Sequence, residues 1–473
     1  MAEDGFITAA AAADSSSDCH RYARAPHLWA LGVGTVISGD FFGWQSALVA
    51  GFDGLLLVLV IVTALYVLLA FSIAELSTMF PSGGGPYVFA LHGIGDSAAF
   101  FAGIAESLKV IVTCSVVVTG IGSYLNRLTG LSEAFAPVWW ALFYVSFVAL
   151  NVHGVALSFR IQVAATLLSI VLLLVFYVAA IPHLSYDQWV VQQHWRSPSG
   201  WDGVFKGVSF AMWFYLGIEE LPLAVEETIK PEKNMPIGLV SSIATLVAIA
   251  FSTVICNAMI SPGARAISMS DSPLLEGYKS VFGDNSTTAC VTWLLVVGLI
   301  SSLHSFIFCM GQLLHAIARN GFLPRALTRC HPQRDTPYVA LIAGSGLGFA
   351  VMILLHTTIG DAALGSVLIN LSLIGALVSY AFQLIAFIQL RKHDPRRARP
   401  YKSPFGVSGA VVSLGLCALA LLSIVYNGVS SPDFLASLGC GVAFFGCGGA
   451  YFLLRVQPSL ACGESTRPFL HKM

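Results

Sequence analysis

A single acidic residue in a long apolar stretch is the first feature of this sequence that suggests chemistry. Asp40 follows Gly39 in residues 36–44, "VISGDFFGW". A charged side chain near the middle of a membrane helix costs about 3 kcal/mol. An ammonium at about 4 Å would contribute roughly 4 kcal/mol at an effective dielectric constant near 20 and would offset that cost. The stretch therefore predicts either a binding site for an amine or a permanent internal ion pair.

A second apolar run, residues 210–227, is also interrupted by acids and reads "FAMWFYLGIEELPLAVEE". Gly217 and Pro222 break its pattern, and Glu219 lies just after the glycine. Burial favours the neutral form of a carboxylic acid, so Glu219 is a candidate proton carrier. The Trp213 ring could attract a cation with about 0.5–2 kcal/mol, and core packing is the alternative role for this side chain.

Several neighbouring residues have two possible roles. Asp40 could pair permanently with Lys109, an unusual basic residue in an apolar stretch, and would then serve structure alone. Phe41 and Phe42 could hold a cation against their ring faces, or could pack against lipid and core. Three later acids are expected on a solvated face that two lysines neutralise: Glu220, Glu226 and Glu227, with Lys230 and Lys233.

The composition indicates the elements that must position these residues. The chain has 473 residues, of which 56% are hydrophobic and 10% charged, and its mean hydropathy is +0.79. These values are typical of a protein that crosses the membrane many times. The net charge of -1 argues against a nucleic-acid partner, because phosphate binding needs a surplus of basic residues. The ten cysteines show no paired spacing, so neither a metal site nor a disulfide framework is expected.

Twelve stretches are long enough to span a bilayer, which takes about 20 apolar residues. The predicted spans are 27–50, 54–79, 95–123, 135–154, 159–181, 203–226, 237–258, 289–318, 339–358, 361–391, 406–427 and 433–455. The sequence thus predicts an all-α polytopic membrane protein with one domain at 27–455. Residues 1–26 are expected to form a disordered cytoplasmic tail and residues 456–473 a second cytoplasmic tail.

The distribution of basic residues predicts the orientation. With both termini in the cytoplasm, most Lys and Arg residues fall in cytoplasmic segments, as the positive-inside rule requires. The loop at 259–288 then lies outside, and its "NST" motif makes Asn285 a candidate for N-glycosylation in a eukaryote.

The first and sixth predicted spans are interrupted in corresponding places. Glycine together with an acid occurs at Gly39 and Asp40 in one span, and at Gly217 and Glu219 in the other. Interrupted helices at matching positions in two halves indicate a transporter built from inverted repeats, which binds substrate at the broken backbone. Glycine alone would indicate only close helix packing, but the adjacent acids favour the binding site.

Five stretches of the chain resemble the amino acid, polyamine and organocation (APC) transporter superfamily, and the resemblance runs from about residue 27 to 455. They are "LWALGVGTVISGDFFGW", "AELSTMFPSGGGPYVFA", "WFYLGIEELPLAVEETIKPEKNMPIG", "SSLHSFIFCMGQLLHAIARNGFLPRAL" and "ARPYKSPFG". Within the superfamily the chain is most similar to the ethanolamine permease type, mainly through "SGD", "SLH" and "WFYLGIE".

The resemblance implies helices 1–5 and 6–10 as inverted repeats with broken helices 1 and 6, two further helices, and alternating access. In amino-acid members, amides at the first break hold the substrate carboxylate; the matching positions here are Ser38, Gly39 and Asp40. Asp40 would repel a carboxylate. This difference from the amino-acid members therefore favours an amine as the substrate. Trp213 matches a gating tryptophan, and Phe306 matches a second gate position.

The resemblance also bears on the coupling ion. Glu219 stands where relatives carry an acid implicated in proton coupling. Ser301 and Ser302 stand where sodium-coupled relatives use hydroxyl ligands, so H⁺ and Na⁺ both stay open. His304 would either contact substrate or hydrogen-bond a neighbouring helix.

The expected function is import of a small organic amine such as ethanolamine, by a secondary transporter in the plasma membrane. The protein is not expected to be an enzyme or to need a metal or other cofactor, and its oligomeric state stays open. The alternatives are an amino-acid or diamine permease of the same fold, a ligand sensor that does not transport, and a channel.

Overall fold

The computed structural model describes residues 21–429 and 431–461. Every regular secondary-structure element within these ranges is a helix. Long apolar runs without strand-like alternation fold as helices because a helix satisfies every backbone polar group within its own segment. The α-helices are α1 (Ala25–Val36), α2 (Ser38–Phe41), α3 (Gly51–Met79), α4 (Pro86–Gly93), α5 (Asp96–Thr129), α6 (Ala136–His153), α7 (Val155–Ala180), α8 (Gly200–Ala211), α9 (Pro231–Ala258), α10 (Ala264–Ile267), α11 (Pro273–Phe282), α12 (Ser286–Arg319), α13 (Tyr338–Ile359), α14 (Asp361–His393), α15 (Gly406–Gly428), α16 (Pro432–Tyr451) and α17 (Gln457–Ala461).

Ten helical segments in the described part of the chain are long and apolar enough to cross a membrane. They correspond to ten of the twelve predicted spans. The first and sixth predicted spans complete the set, but each is divided into pieces that are too short individually. The prediction of an all-α polytopic membrane protein is therefore confirmed.

Both predicted interruptions are present. The first span consists of α1, the single turn α2 and a 3-10 helix at Trp44–Ala50, with Gly43 at φ +93° between the last two. The sixth consists of α8, a 3-10 turn at Met212–Phe214 and a 3-10 helix at Ile218–Ala224. Gly217 has φ +117°, which favours glycine, and Pro222 lacks the N–H of a regular helix.

The core of the molecule is a group of long helices against which the broken spans pack. The best-buried is α5, which packs against α12 and α14. By contrast, α16 exposes most of its apolar surface, as expected of a helix that faces lipid.

The predicted tails lie mostly outside the described residues, which exclude 1–20 and 462–473. Residues 21–26, assigned to the first tail, are ordered: the amides of Tyr22 and Ala23 donate to the carbonyl of Glu227, at 2.9 and 2.8 Å. The N-terminal segment is therefore fastened to the end of the sixth span.

Candidate substrate and coupling site

The two helix breaks touch each other, and glycine makes the contact possible. A Cβ added to Gly39 would lie 2.4 Å from the carbonyl oxygen of Trp213. A Cβ added to Gly217 would lie 2.8 Å from Thr35 and 2.9 Å from the ring of Phe306. Since real Cβ atoms do not approach so closely, the breaks can meet only with glycine at both positions.

A serine of α12 fixes the first break. Ser302 Oγ donates to the carbonyl of Gly34 at 2.8 Å and accepts from the backbone N–H of Ser38 at 3.1 Å. One bond lies on each side of the interruption, so Ser302 satisfies backbone groups that the break removes from the helix ladder. The Ser38 amide, which the resemblance matched to a carboxylate-binding amide, is therefore already engaged.

Asp40 is buried and only partly satisfied. Its Oδ1 accepts a hydrogen bond from Thr253 Oγ1 of α9 at 2.9 Å, and the Thr253 hydroxyl also contacts Tyr177 Oη at 2.6 Å. Its Oδ2 has no hydrogen-bond partner among the described residues. A buried carboxylate oxygen without a donor is costly, and a cation would remove that cost.

The alternative pairing of Asp40 with Lys109 is wrong. Lys109 Nζ instead contacts three carboxylates: Glu106 Oε1 at 2.6 Å, Glu219 Oε1 at 2.6 Å and Glu220 Oε1 at 2.7 Å. All four side chains are excluded from solvent. The Tyr380 hydroxyl also donates to Glu219. Asp40 is thus separate from the buried lysine.

The expectation of a solvated face for the later acids is wrong for Glu220, whereas the Glu226 side chain is 37% exposed and pairs with an arginine instead of the expected lysines. Glu220 faces Lys109 and is buried, because the 3-10 helix after Gly217 turns it inward with Glu219. Glu226 pairs with Arg319 at 2.7 Å, and Glu227 accepts from Gln312 at 2.5 Å. Neither Lys230 nor Lys233 forms an ion pair with these acids within the described residues.

The predicted aromatic residues separate into different environments. Trp213 packs edge-on against Phe42, with ring centroids 6.0 Å apart. Phe42 lines a cavity of about 780 Å³, which Trp213 does not reach. Phe41 is fully buried against Gly298, in keeping with its packing role. Phe42 and Trp213 thus form the aromatic layer between this cavity and the breaks.

His304 and Ser301 both form hydrogen bonds with α7. The His304 ring contacts Ser158 Oγ at 3.0 Å through Nε2 and Gln162 Oε1 at 3.1 Å through Nδ1. Gln162 Nε2 in turn donates to Ser301 Oγ at 2.8 Å and to the Ala30 carbonyl at 3.4 Å. Of the two roles considered for His304, these contacts match a hydrogen bond to a neighbouring helix. A sodium ion would need the Ser301 hydroxyl as a ligand, but this hydroxyl already accepts a hydrogen bond from the Gln162 amide.

The sequence analysis missed Gln162 and Thr253. Gln162 could have been recognised because it is an isolated amide in the apolar run at 159–181. An amide in the hydrocarbon region needs hydrogen-bond partners on another helix. Thr253 gave no comparable signal, because threonines in membrane helices commonly bond to their own backbone.

Asn285 lies in an exposed turn and caps α12. Its Oδ1 accepts from the backbone N–H of Thr288 at 3.0 Å, and its Nδ2 donates to the carbonyl of Phe282 at 2.8 Å. Glycosylation would replace one of the two Nδ2 hydrogens and leave one N–H on that nitrogen. The helix cap alone accounts for asparagine at this position.

Two broken membrane helices that meet beside a buried acid are the arrangement of a membrane transporter. The chain belongs to the amino acid permease family of the APC superfamily, whose family model matches residues 26–445. This match confirms the resemblance at the level of the superfamily.

Curated relatives agree with this assignment along nearly the whole chain. The chain is 27% identical to the methylthioribose transporter of Bacillus subtilis, over 95% of this chain and 96% of that protein. It is 25% identical to the branched-chain amino acid permease BcaP of Bacillus subtilis, over 88% of this chain and 90% of that protein. It is 24% identical to L-asparagine permease 1 of Mycobacterium bovis, over 86% of this chain and 85% of that protein.

Proposed function

We propose that this transporter carries a small organic amine, with ethanolamine as the leading candidate, across the plasma membrane by alternating access, with both termini in the cytoplasm. The observation that carries the proposal is Asp40, whose Oδ2 is buried at the first break without a donor among the described residues. A substrate ammonium supplies both the positive charge and the hydrogen-bond donors that this oxygen lacks.

The proposal assigns Trp213 and Phe42 to the gate that covers the bound amine. Both rings adjoin the breaks, and Phe42 also lines the cavity of about 780 Å³. An ammonium that enters from this cavity would pass the aromatic pair before it reaches Asp40. Aromatic faces attract cations, so the gate would favour the substrate as well as enclose it.

An amino acid is the second candidate, and the relatives named for asparagine and branched-chain amino acids support it. Against it stands the charge at the first break. An amino-acid carboxylate would meet Asp40 where it needs free amides, and the Ser38 amide is already bonded to Ser302. Like charges in contact disfavour binding, so we rank the amine first.

The test is uptake of radiolabelled ethanolamine into proteoliposomes, with choline, putrescine and amino acids as competitors. Saturable uptake and counterflow, blocked by amines and not by amino acids, would support an amine carrier. Inhibition by amino acids alone would favour the second candidate. Uptake without counterflow would indicate a channel, and binding without uptake would indicate a sensor.

A further inference from the structure

A buried group of charges at the sixth-span break contains more acids than bases. The Lys109 cluster consists of these residues: Lys109, Glu106, Glu219, Glu220 and Tyr380. If all three carboxyl groups were ionised, one ammonium would leave two negative charges uncompensated inside the membrane domain. Because buried charges persist only when they are paired, the cluster must hold at least one proton.

Glu219 is the carboxyl group best suited to stay ionised. Its Oε1 accepts from Lys109 Nζ at 2.6 Å and from the Tyr380 hydroxyl, and its Oε2 accepts from the backbone N–H of Gly217 at 3.0 Å. Three donors stabilise a carboxylate strongly. Glu219 therefore acts as a fixed anion that holds the start of the 3-10 helix against α5.

Glu106 is a constant partner of Lys109. The two residues lie one turn apart on α5, and their side chains meet at 2.6 Å. Since α5 is a continuous helix, this pair persists in any conformation that leaves α5 intact. Its protonation has no reason to change during transport.

Glu220 differs from both. Its Oε1 contacts Lys109 Nζ at 2.7 Å, and its Oε2, like Oε2 of Glu106, accepts no hydrogen bond from the described residues, so the difference from Glu106 lies in its position. It lies on the short helix after the break, so its surroundings change when that helix moves relative to α5. The charged and titratable groups around it come from four elements: Lys109, Glu106 and Cys114 of α5, Cys309 of α12, Tyr380 of α14, and Glu219 beside it.

We propose that the carboxyl group of Glu220 carries the proton that couples transport in this protein. In the closed arrangement Glu220 is the neutral acid of the Lys109 cluster. When the short helix moves and water enters, the acid releases its proton to the solvent on that side. The proton returns from the opposite side as the cluster closes. The inference rests on the proposed transport function and replaces Glu219 with its neighbour as the proton carrier.

The first test compares gradient-driven accumulation with counterflow exchange of radiolabelled ethanolamine in proteoliposomes. Glu220→Gln imitates the neutral form of the acid and cannot release a proton. This variant should therefore still exchange ethanolamine, but it should not accumulate ethanolamine when a proton gradient of either direction is applied. Glu276→Gln, in which the altered acid lies on α11 beside Arg127 and outside the cluster, is the matched control and should keep gradient-driven accumulation. Accumulation by Glu220→Gln equal to that of the unchanged protein would overturn the proposal, and so would loss of exchange.

The second test needs no substrate, so it stays informative even if ethanolamine is not transported. Infrared difference spectra of the purified protein between acidic and alkaline buffer should contain the carbonyl stretch of a protonated carboxylic acid. That band should disappear in Glu220→Gln and persist in Asp40→Asn and Glu106→Gln. Persistence of the whole band in Glu220→Gln would overturn the proposal. Absence of counterflow in the unchanged protein, with the band behaving as expected, would contradict only the proposed substrate.

Discussion

Individual side chains determine what each buried acid can do, because the acids differ in the donors around them. Asp40 has one donor, the Thr253 hydroxyl, and no basic partner among the described residues. Glu219 has three donors, and Glu220 shares a lysine with two other acids. Our proposals that Asp40 binds the substrate and that the Lys109 cluster carries the proton rest on these differences.

The contact between the breaks predicts the effect of adding one methyl group. Gly39→Ala would place a Cβ 2.4 Å from the Trp213 carbonyl and force the breaks apart, and overpacking of this kind costs about 1–3 kcal/mol. We expect a lower melting temperature and little uptake. Gly346→Ala in α13 is the control, because no atom lies within 4 Å of that added Cβ. Equal melting temperature and uptake in the two variants would contradict the close contact.

The positions of the helix breaks could be predicted from individual residues, but the partners of the buried acids could not. Glycine combined with a nearby acid correctly marked both breaks, because an acid is rare in an apolar helix unless it serves a purpose. The partners of each acid could not be predicted. Whether Glu220 faces a lysine or solvent depends on the rotation of a short 3-10 helix, and hydropathy does not record that rotation. Lys109 was recognised as unusual, but its three partners required the packed structure.

At the scale of elements, α12 fastens the first break through Ser302. Ser302→Ala would leave the Gly34 carbonyl and the Ser38 amide unpaired, at a cost of about 1–3 kcal/mol. We expect a clear fall in thermal stability. Ser305→Ala is the matched control, since among the described residues the Ser305 hydroxyl bonds only to the Ser301 carbonyl one turn earlier. A fall of the same size in both variants would refute the bridging role.

The packing of α1, α7 and α12 predicts that transport does not need sodium. The Ser301 hydroxyl and the Ala30 carbonyl already accept from the amide of Gln162, and Ser302 is engaged at the break. An amide donor among these oxygens repels a cation. Ethanolamine uptake at constant ionic strength should therefore be equal in sodium and potassium buffers. Stimulation by sodium would show that these hydrogen bonds open to admit the ion.

Helix positions were the easiest feature to predict at this scale. Apolar length alone located ten spans, because the hydrocarbon thickness fixes how many residues a helix needs. Helix ends were less exact: α5 continues to Thr129, beyond the predicted 123, and ends where Gly130 adopts the left-handed conformation at φ +69°. The contact of Trp213 with Gly39 joins elements far apart in the chain and leaves no local signal.

The described part of the whole molecule contains at least two cavities. One cavity of about 780 Å³ adjoins Phe42, and another of about 620 Å³ adjoins the N-terminal segment and Glu226. Beside the second cavity, the Ile229 N–H donates to the Ala23 carbonyl and Glu226 pairs with Arg319. Alternating access requires these contacts to open in turn.

The proposed orientation can be checked with two exposed positions. Asp284 lies in the loop assigned to the outside, and Arg396 lies in the basic segment assigned to the cytoplasm. With the native cysteines replaced, an impermeant thiol reagent should label Asp284→Cys in intact cells and Arg396→Cys only after permeabilisation. The reverse result would invert the topology. In a eukaryotic host, a glycosidase-sensitive mobility shift should be lost in Asn285→Gln.

If Asp40 is the counter-ion of the substrate ammonium, purified Asp40→Asn should bind ethanolamine more weakly than the unchanged protein. The substitution preserves size and hydrogen bonding to Thr253 while it removes the charge. We predict at least about tenfold weaker binding, equivalent to roughly 1.4 kcal/mol, in protein whose melting temperature shows that it is folded. Unchanged affinity in folded Asp40→Asn would contradict the account.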